Sequence, residues 1–162
     1  MAASLKDSSE GALDRTDVKI MRALHADGRL TNAELAQRVG VSPATCHRRT
    51  QRLFEKGHIT GVRAQIAPAS VGLGALVMIG VVLDRSSPDS RYAFEEAVLK
   101  VKEILDCILV AGEFDYFLKI RARDIADFNK LQSQTLIALP GVQNTRTFFV
   151  MREVKENGRL PF

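Results

Sequence analysis

Apolar positions in the first third of the chain recur at helical spacing and are broken by capping residues. Asp14, with Asp17 three positions on, opens a pattern that places Ile20, Met21 and Leu24 on one face, and Gly28 ends it. Thr31 opens a second helix with Glu34 as its capping-box partner, flanked by Leu30 and Leu35 as a hydrophobic staple. Gly40 supplies a left-handed stop. Only Val41 separates it from Ser42-Pro43, a cap followed by proline at the first helical position, so a third helix runs from Ser42 to Lys56 and stops at Gly57. Two helices joined by a short glycine-containing turn make a helix-turn-helix. Ile59 and the alternation Val62, Ala64, Ile66 then predict two short strands around Gly61, a small wing.

Pro68 to Gly74 reads as a linker, and beyond it strands alternate with helices. Ala75 to Leu83 is a buried strand. Ser87-Pro88-Asp89 begins a helix with Phe94, Val98 and Val101 inward. Ile104 to Ala111 and Phe114 to Ala122 are two buried strands around Gly112-Glu113. Asp124, with Asp127, caps a helix whose inner face is Ile125, Phe128, Leu131 and Leu139. Pro140-Gly141 stops it, and Val142 to Val154 is the last strand. The order β-α-β-β-α-β is the split arrangement of a ferredoxin-like domain. The class is therefore α+β. A flexible arm covers residues 1–12, a winged helix-turn-helix 13–67, a linker 68–74 and a ferredoxin-like domain 75–162.

Composition changes this picture little, and charge changes it more. At 162 residues, 46% apolar and 26% charged, the chain is of ordinary globular make-up. Its longest apolar run, Ala75 to Leu83, is far short of the roughly 20 residues that span a bilayer. The start of the chain lacks the apolar core of a signal peptide, so a soluble cytoplasmic protein with no membrane partner is expected. Residues 1–66 carry eleven Lys or Arg against seven Asp or Glu, a net +4, whereas residues 67–162 carry twelve of each. Between Arg38 and Arg63, six basic residues face only Glu55. That concentration is the footprint of a polyanion-binding element.

The third helix sits inside this basic stretch. Cys46, Thr50 and Leu53 follow a 4-3 spacing and face the other helices, so Ala44, His47, Arg48, Gln51, Arg52 and Glu55 point outward. Small residues near its start, Ser42 and Ala44, permit close approach to a groove. His47, Arg48, Gln51 and Arg52 supply hydrogen bonds to base edges or phosphates of double-stranded DNA. Arg49 lies between the faces, as a packing or phosphate residue. Cys46 and Cys107 read as small buried hydrophobes rather than reactive thiols. His25, His47 and His58 have no metal-ligand spacing, and no catalytic set or phosphate-binding glycine loop is present, so neither enzyme nor metal site is expected.

A second candidate lies at Gly112-Glu113-Phe114-Asp115-Tyr116. Glycine at a strand end allows close backbone approach by a ligand. Asp115 can accept from an ammonium group, and free N–H groups at the turn can receive a carboxylate, a pairing that suits a zwitterionic amino acid. The alternative is a plain hairpin turn with a capping aspartate.

Gly40-Val41-Ser42-Pro43, Cys46, Arg49, Arg52-Leu53 and Gly57-His58-Ile59 resemble the leucine-responsive/asparagine-regulator (Lrp/AsnC) transcription factors. So do Gly112 to Tyr116, Leu139-Pro140-Gly141-Val142 and Thr145-Arg146-Thr147. The resemblance runs from about Leu13 to Pro161 and is closest to the leucine-responsive branch. It implies a DNA-binding regulator of amino-acid metabolism genes, without a cofactor. Its C-terminal sheets pair into dimers that assemble further. An amino acid, leucine or another small apolar one, binds between dimers near Gly112, Glu113, Phe114, Asp115 and Tyr116. The resemblance adds Gln134, Thr135, Phe149 and Val150 to that pocket or to the assembly contacts. The chain departs from the family at His47-Arg48, where many relatives carry an apolar and an acidic residue, and at Phe148-Phe149. Two other classes are weighed beside it: a siroheme-decarboxylase-like enzyme of the same architecture, and a ligand-independent architectural DNA binder.

Overall fold

The computed structural model describes residues 12–84, 89–156, 158 and 160–162. The expected N-terminal arm, apart from Ala12, and the Ser87-Pro88 helix start lie outside them. Two compact units are present: residues 12–65 joined by 158 and 160–162, and Ile66–Glu156.

In the first unit, α1 (Arg15–Ala26) begins with a capping box. Asp14 accepts from the Asp17 N–H at 2.8 Å, and Asp17 accepts from the Asp14 N–H at 3.3 Å. Thr31 and Glu34 repeat the device at α2 (Asn32–Val39). Ser42 accepts from Thr45 N–H at the start of α3 (Pro43–Glu55), with Pro43 in the first turn. Gly40 (φ 76°) and Gly57 (φ 72°) adopt the left-handed conformation that ends α2 and α3, which side chains with a Cβ resist. Gly28 does not end α1. Asp27 leaves the helix in an extended conformation, so no left-handed residue is needed there. Gly28 is small for another reason: a Cβ on it would meet the Val62 Cγ1 at 2.6 Å. Ile20, Ala23, Leu35, Ala36, Val39, Cys46 and Leu53 form the core.

The expected wing differs. Residues 59–67 run without a paired strand among the described residues, and Val62 and Ile66 are exposed. Thr60 and Gly61 are too little chain to turn a hairpin here, since Gly61 lacks the positive φ that a two-residue hairpin turn needs. At the end of the chain, Leu160 donates its N–H to Nε2 of His25 at 2.8 Å, and the Phe162 ring lies 5.9 Å from the same imidazole.

In the second unit a single 3₁₀ turn, Pro68–Val71, precedes β1 (Ala75–Leu83). Then follow α4 (Ser90–Val98), β2 (Ile104–Leu109), β3 (Tyr116–Ala122), α5 (Ile125–Leu131), a π-helical turn over Gln132–Leu136, and β4 (Val142–Phe149). The sheet order is β2-β3-β1-β4 with every neighbour antiparallel, the ferredoxin-like arrangement. Val77, Ile79, Val81 and Leu83 of β1 and Tyr116, Leu118 and Ile120 of β3 face Phe94, Val98, Phe128 and Leu136 across the core.

Three expectations are corrected here. Strand β2 is an exposed edge rather than a buried strand, and Cys107 on it is exposed. Ile125 is exposed, while Leu136 is buried in its stead. The π turn, closed by Ile137 N–H on Gln132 O at 3.2 Å, adds a residue to the winding and breaks the regular helical spacing. Strand β4 ends at Phe149, and beyond it Met151 and Val154 are exposed.

Candidate functional site

Along α3, Cys46 and Leu53 are buried, and Ser42, Ala44, His47, Arg48, Gln51 and Glu55 are exposed. Arg49 and Arg52 are held differently. One Nη of Arg49 reaches Asp14 Oδ2 at 2.6 Å and Asp17 Oδ1 at 2.9 Å, and Arg52 Nη2 reaches Asp17 Oδ2 at 2.6 Å. Asp17 is wholly buried, and each of its oxygens is met by one arginine. The Asp14 carboxyl is held below its usual range by the Asp17 N–H and then by Arg49, which is itself raised in return. Arg52, expected to point outward, is therefore folded back on α1. The sequence reading saw Asp14 and Asp17 only as caps. Their second role across α1 and α3 has no signal within a few residues of either acid.

The second candidate loop hangs between β2 and β3. Gly112 and Glu113 are exposed, and Glu113 meets Arg146 at 3.1 Å. The ring of Phe114 lies over Gly80, against Phe117 and Phe148 at 5.3 and 6.3 Å, with the Arg146 guanidinium 5.6 Å from its centre. Asp115 is turned inward: its Oδ2 accepts the Leu83 N–H at 2.8 Å, and its own N–H donates to Val81 O. Tyr116 is a core residue, packed on Phe94 and donating its hydroxyl to Glu95, and burial pushes that hydroxyl well above its usual pKa. The accessible part of the five-residue loop is thus Gly112 to Phe114, not Asp115 or Tyr116.

The remaining expected residues lie elsewhere. Gln134 is exposed and Thr135 half-buried in the π turn. Phe149 is half-exposed with its ring on Phe128 at 5.4 Å, and Val150 donates to Leu76 O at 3.0 Å. Phe149 pairs with Val77 of β1, whereas Tyr116 pairs with Val81 from the opposite flank. Four strand residues separate the pairs, about 13 Å at the rise of a β-strand. Within one chain the loop reaches β4 through Arg146 and Phe148, but Phe149 turns to Phe128 on the opposite face of the sheet. Among the described residues no cluster of His, Cys, Asp or Glu is placed to hold a metal, and no helix is long and apolar enough to cross a membrane.

Comparison with known proteins matches these two regions separately. The AsnC-type helix-turn-helix domain matches residues 13–53, and the Lrp/AsnC ligand binding domain matches residues 76–160. The chain belongs to the Lrp/AsnC family. The leucine-responsive regulatory protein of Escherichia coli K12 is 45% identical over 148 residues, 91% of this chain and 90% of that protein. That of Klebsiella pneumoniae gives the same figures. A crystal structure of a Neisseria meningitidis transcriptional regulator in complex with L-Met superposes with a TM-score of 0.86 at 39% identity, over 93% of this chain and 97% of that one. E. coli AsnC superposes with a TM-score of 0.80 at 27% identity, over 91% and 97%. As an Lrp/AsnC regulator, the chain couples a DNA-binding helix-turn-helix to an amino-acid-binding domain. The relatives are transcriptional regulators rather than decarboxylases.

Proposed function

We propose that this Lrp/AsnC regulator reads double-stranded DNA with the exposed face of α3 and adjusts its assembly to a small amino acid. Ser42 and Ala44 lie close to the backbone, and His47, Arg48 and Gln51 reach the groove, while Arg49 and Arg52 serve DNA binding from behind that face, through Asp14 and Asp17. Two copies pair through their C-terminal sheets, which places two α3 helices on one side of a duplex. The effector lies between copies, with Gly112 to Phe114 from one and Gln134, Thr135, Phe149 and Val150 from another, Asp115 and Tyr116 supporting the loop from below. Leucine or another small apolar amino acid suits the apolar neighbours Leu109, Phe114 and Phe149.

The observation that carries the reading is that Phe114 and Phe149 lie on opposite faces of the sheet, a separation that a pocket shared between copies would close. A ligand with different contacts in each assembly state shifts the population of those states. A thermal-shift screen of the full chain against the proteinogenic amino acids tests it. A ligand at 100 times its Kd raises stability by about 2.7 kcal/mol when it binds only the folded state. A flat screen, with no change in light scattering, would overturn the amino-acid reading.

A further inference from the structure

Three of the cations expected to meet DNA lie on one helix, yet two of them are occupied. Asp17 has no solvent exposure, and both of its oxygens are taken by α3: Oδ1 by Arg49 at 2.9 Å and Oδ2 by Arg52 at 2.6 Å. Asp14 holds Arg49 a second time at 2.6 Å. The two acids stand in the first turn of α1, where the helix dipole favours negative charge. The two arginines stand one turn apart on α3, so the clamp fixes both the rotation of α3 about its axis and its position along α1. Arg48 is exposed and is the one α3 arginine without a partner in this clamp.

We propose that Asp17 is a positioning residue for DNA recognition. It acts through Arg49 and Arg52, which orient α3 and do not themselves count as phosphate contacts. This rests on α3 being the reading helix. Rotation about the helix axis decides which base edges His47, Arg48 and Gln51 reach, so a loosened clamp costs sequence discrimination more than general attraction. Direct phosphate contact and bracing then differ in salt slope and in sequence dependence. A phosphate contact adds about 0.9 to the slope of log affinity against log salt and acts on every sequence alike. A brace adds nothing to the slope and acts on the preferred sequence.

The test uses the full chain and two probes: a duplex that the wild-type protein selects from a random-sequence pool, and a duplex of unrelated sequence. Binding is measured across a salt series at a temperature where circular dichroism shows each variant folded. Arg52→Lys keeps the charge but ends on a shorter, non-planar ammonium in place of the guanidinium whose Nη2 meets Asp17 Oδ2 at 2.6 Å. It is expected to bind the selected duplex about ten-fold more weakly, leave the unrelated duplex unchanged and keep the salt slope. Asp17→Asn is expected to do the same. If Asp17 merely subtracts charge, Asp17→Asn binds both duplexes more tightly. If Arg52 contacts phosphate, Arg52→Ala lowers the slope by about 0.9 on both duplexes. If the clamp only stabilises the unit, melting falls while the ratio between the duplexes holds. Any of these three results overturns the proposal. Should Asp17→Asn not fold, the Arg52→Lys measurement decides alone. Arg48→Ala tests the underlying reading separately: binding and slope unchanged in that variant would remove α3 from the interface, whatever Asp17 does.

Discussion

The ring of Phe114 occupies the space a side chain on Gly80 would need: its Cδ1 and Cγ lie 2.6 and 2.7 Å from the point of a Cβ there. Gly80 stands in the middle of β1, so the loop before β3 is seated on the sheet by the absence of one methyl group. The contact involves the root of the ring and not only its tip, so the ring as a whole must move if a methyl is added. Gly80→Ala is expected to destabilise the protein by about 1–3 kcal/mol, the usual cost of overpacking. The loop would lift with it. Thermal melting measures the first effect, and a weakened amino-acid response in the screen measures the second. A variant that melts and responds like the wild type would show that the ring moves aside freely.

Asp115 accepts the Leu83 N–H in the interior, which ties the end of β1 to the start of β3. Removing the carboxylate leaves a buried N–H without that acceptor, a loss on the order of 1–3 kcal/mol. Asp115→Ala is therefore expected to lower the melting temperature as well as the amino-acid response. Operator affinity per folded molecule should stay near normal, because the residue lies in the C-terminal unit. A urea titration beside a binding titration separates the two effects. Unchanged stability would place the carboxylate on the ligand after all.

How far the sequence carries depends on the range over which each feature is decided. Capping at Asp14, Thr31 and Ser42 was legible because donor and acceptor lie three residues apart. The inward residues Phe94, Phe128 and Leu53 followed from period alone. The wing was misread because a strand is made by its partner, and alternation in Val62, Ala64 and Ile66 names no partner. Ile125 is exposed as the first residue of α5, where period alone does not fix burial, and Leu136 escapes the pattern because a π turn, invisible to a fixed period, changes the winding before it. In the candidate site, the exposure of His47, Arg48 and Gln51 was legible from helix geometry. The capture of Arg49 and Arg52 by acids 32 to 35 residues away was not, since a charge count records how many charges there are and not where they meet.

The acidic caps also set a pH response. Backbone N–H groups at Asp17 and Thr31 hold the carboxyls of Asp14 and Glu34 below their ordinary values of 3.8 and 4.5. A folded-state pKa below the unfolded one gives stability that is present above the unfolded value and is lost as pH falls through the folded value. The first unit is therefore expected to weaken below about pH 4 and not between pH 5 and 8. Asp14→Asn keeps a capping side chain but removes its titration. The acid limb of the unfolding curve should flatten in that variant, read by circular dichroism from pH 5 downward. An acid limb identical to the wild type's would assign the loss to other carboxylates.

A pocket shared between copies predicts complementation. Gly112→Ala obstructs close approach at the loop; a Cβ there meets nothing within 4 Å in the single chain but must accept a φ of 158°, so the variant is used where thermal melting shows it folded. Phe149→Ala removes the aromatic wall on β4, half-exposed and in ring contact with Phe128. Each variant alone is expected to lose the amino-acid response. In mixed assemblies the shared site draws its loop from one copy and its β4 wall from another, so random mixing of equal amounts leaves roughly a quarter of the sites with both halves intact. Co-expressed or subunit-exchanged mixtures should then recover a partial response, seen as a ligand-dependent change in light scattering that neither variant gives alone. Were both halves contributed by the same copy, no mixture would contain an intact site. Failure to recover any response, with exchange verified by differential tagging, would return the effector to a pocket within one chain.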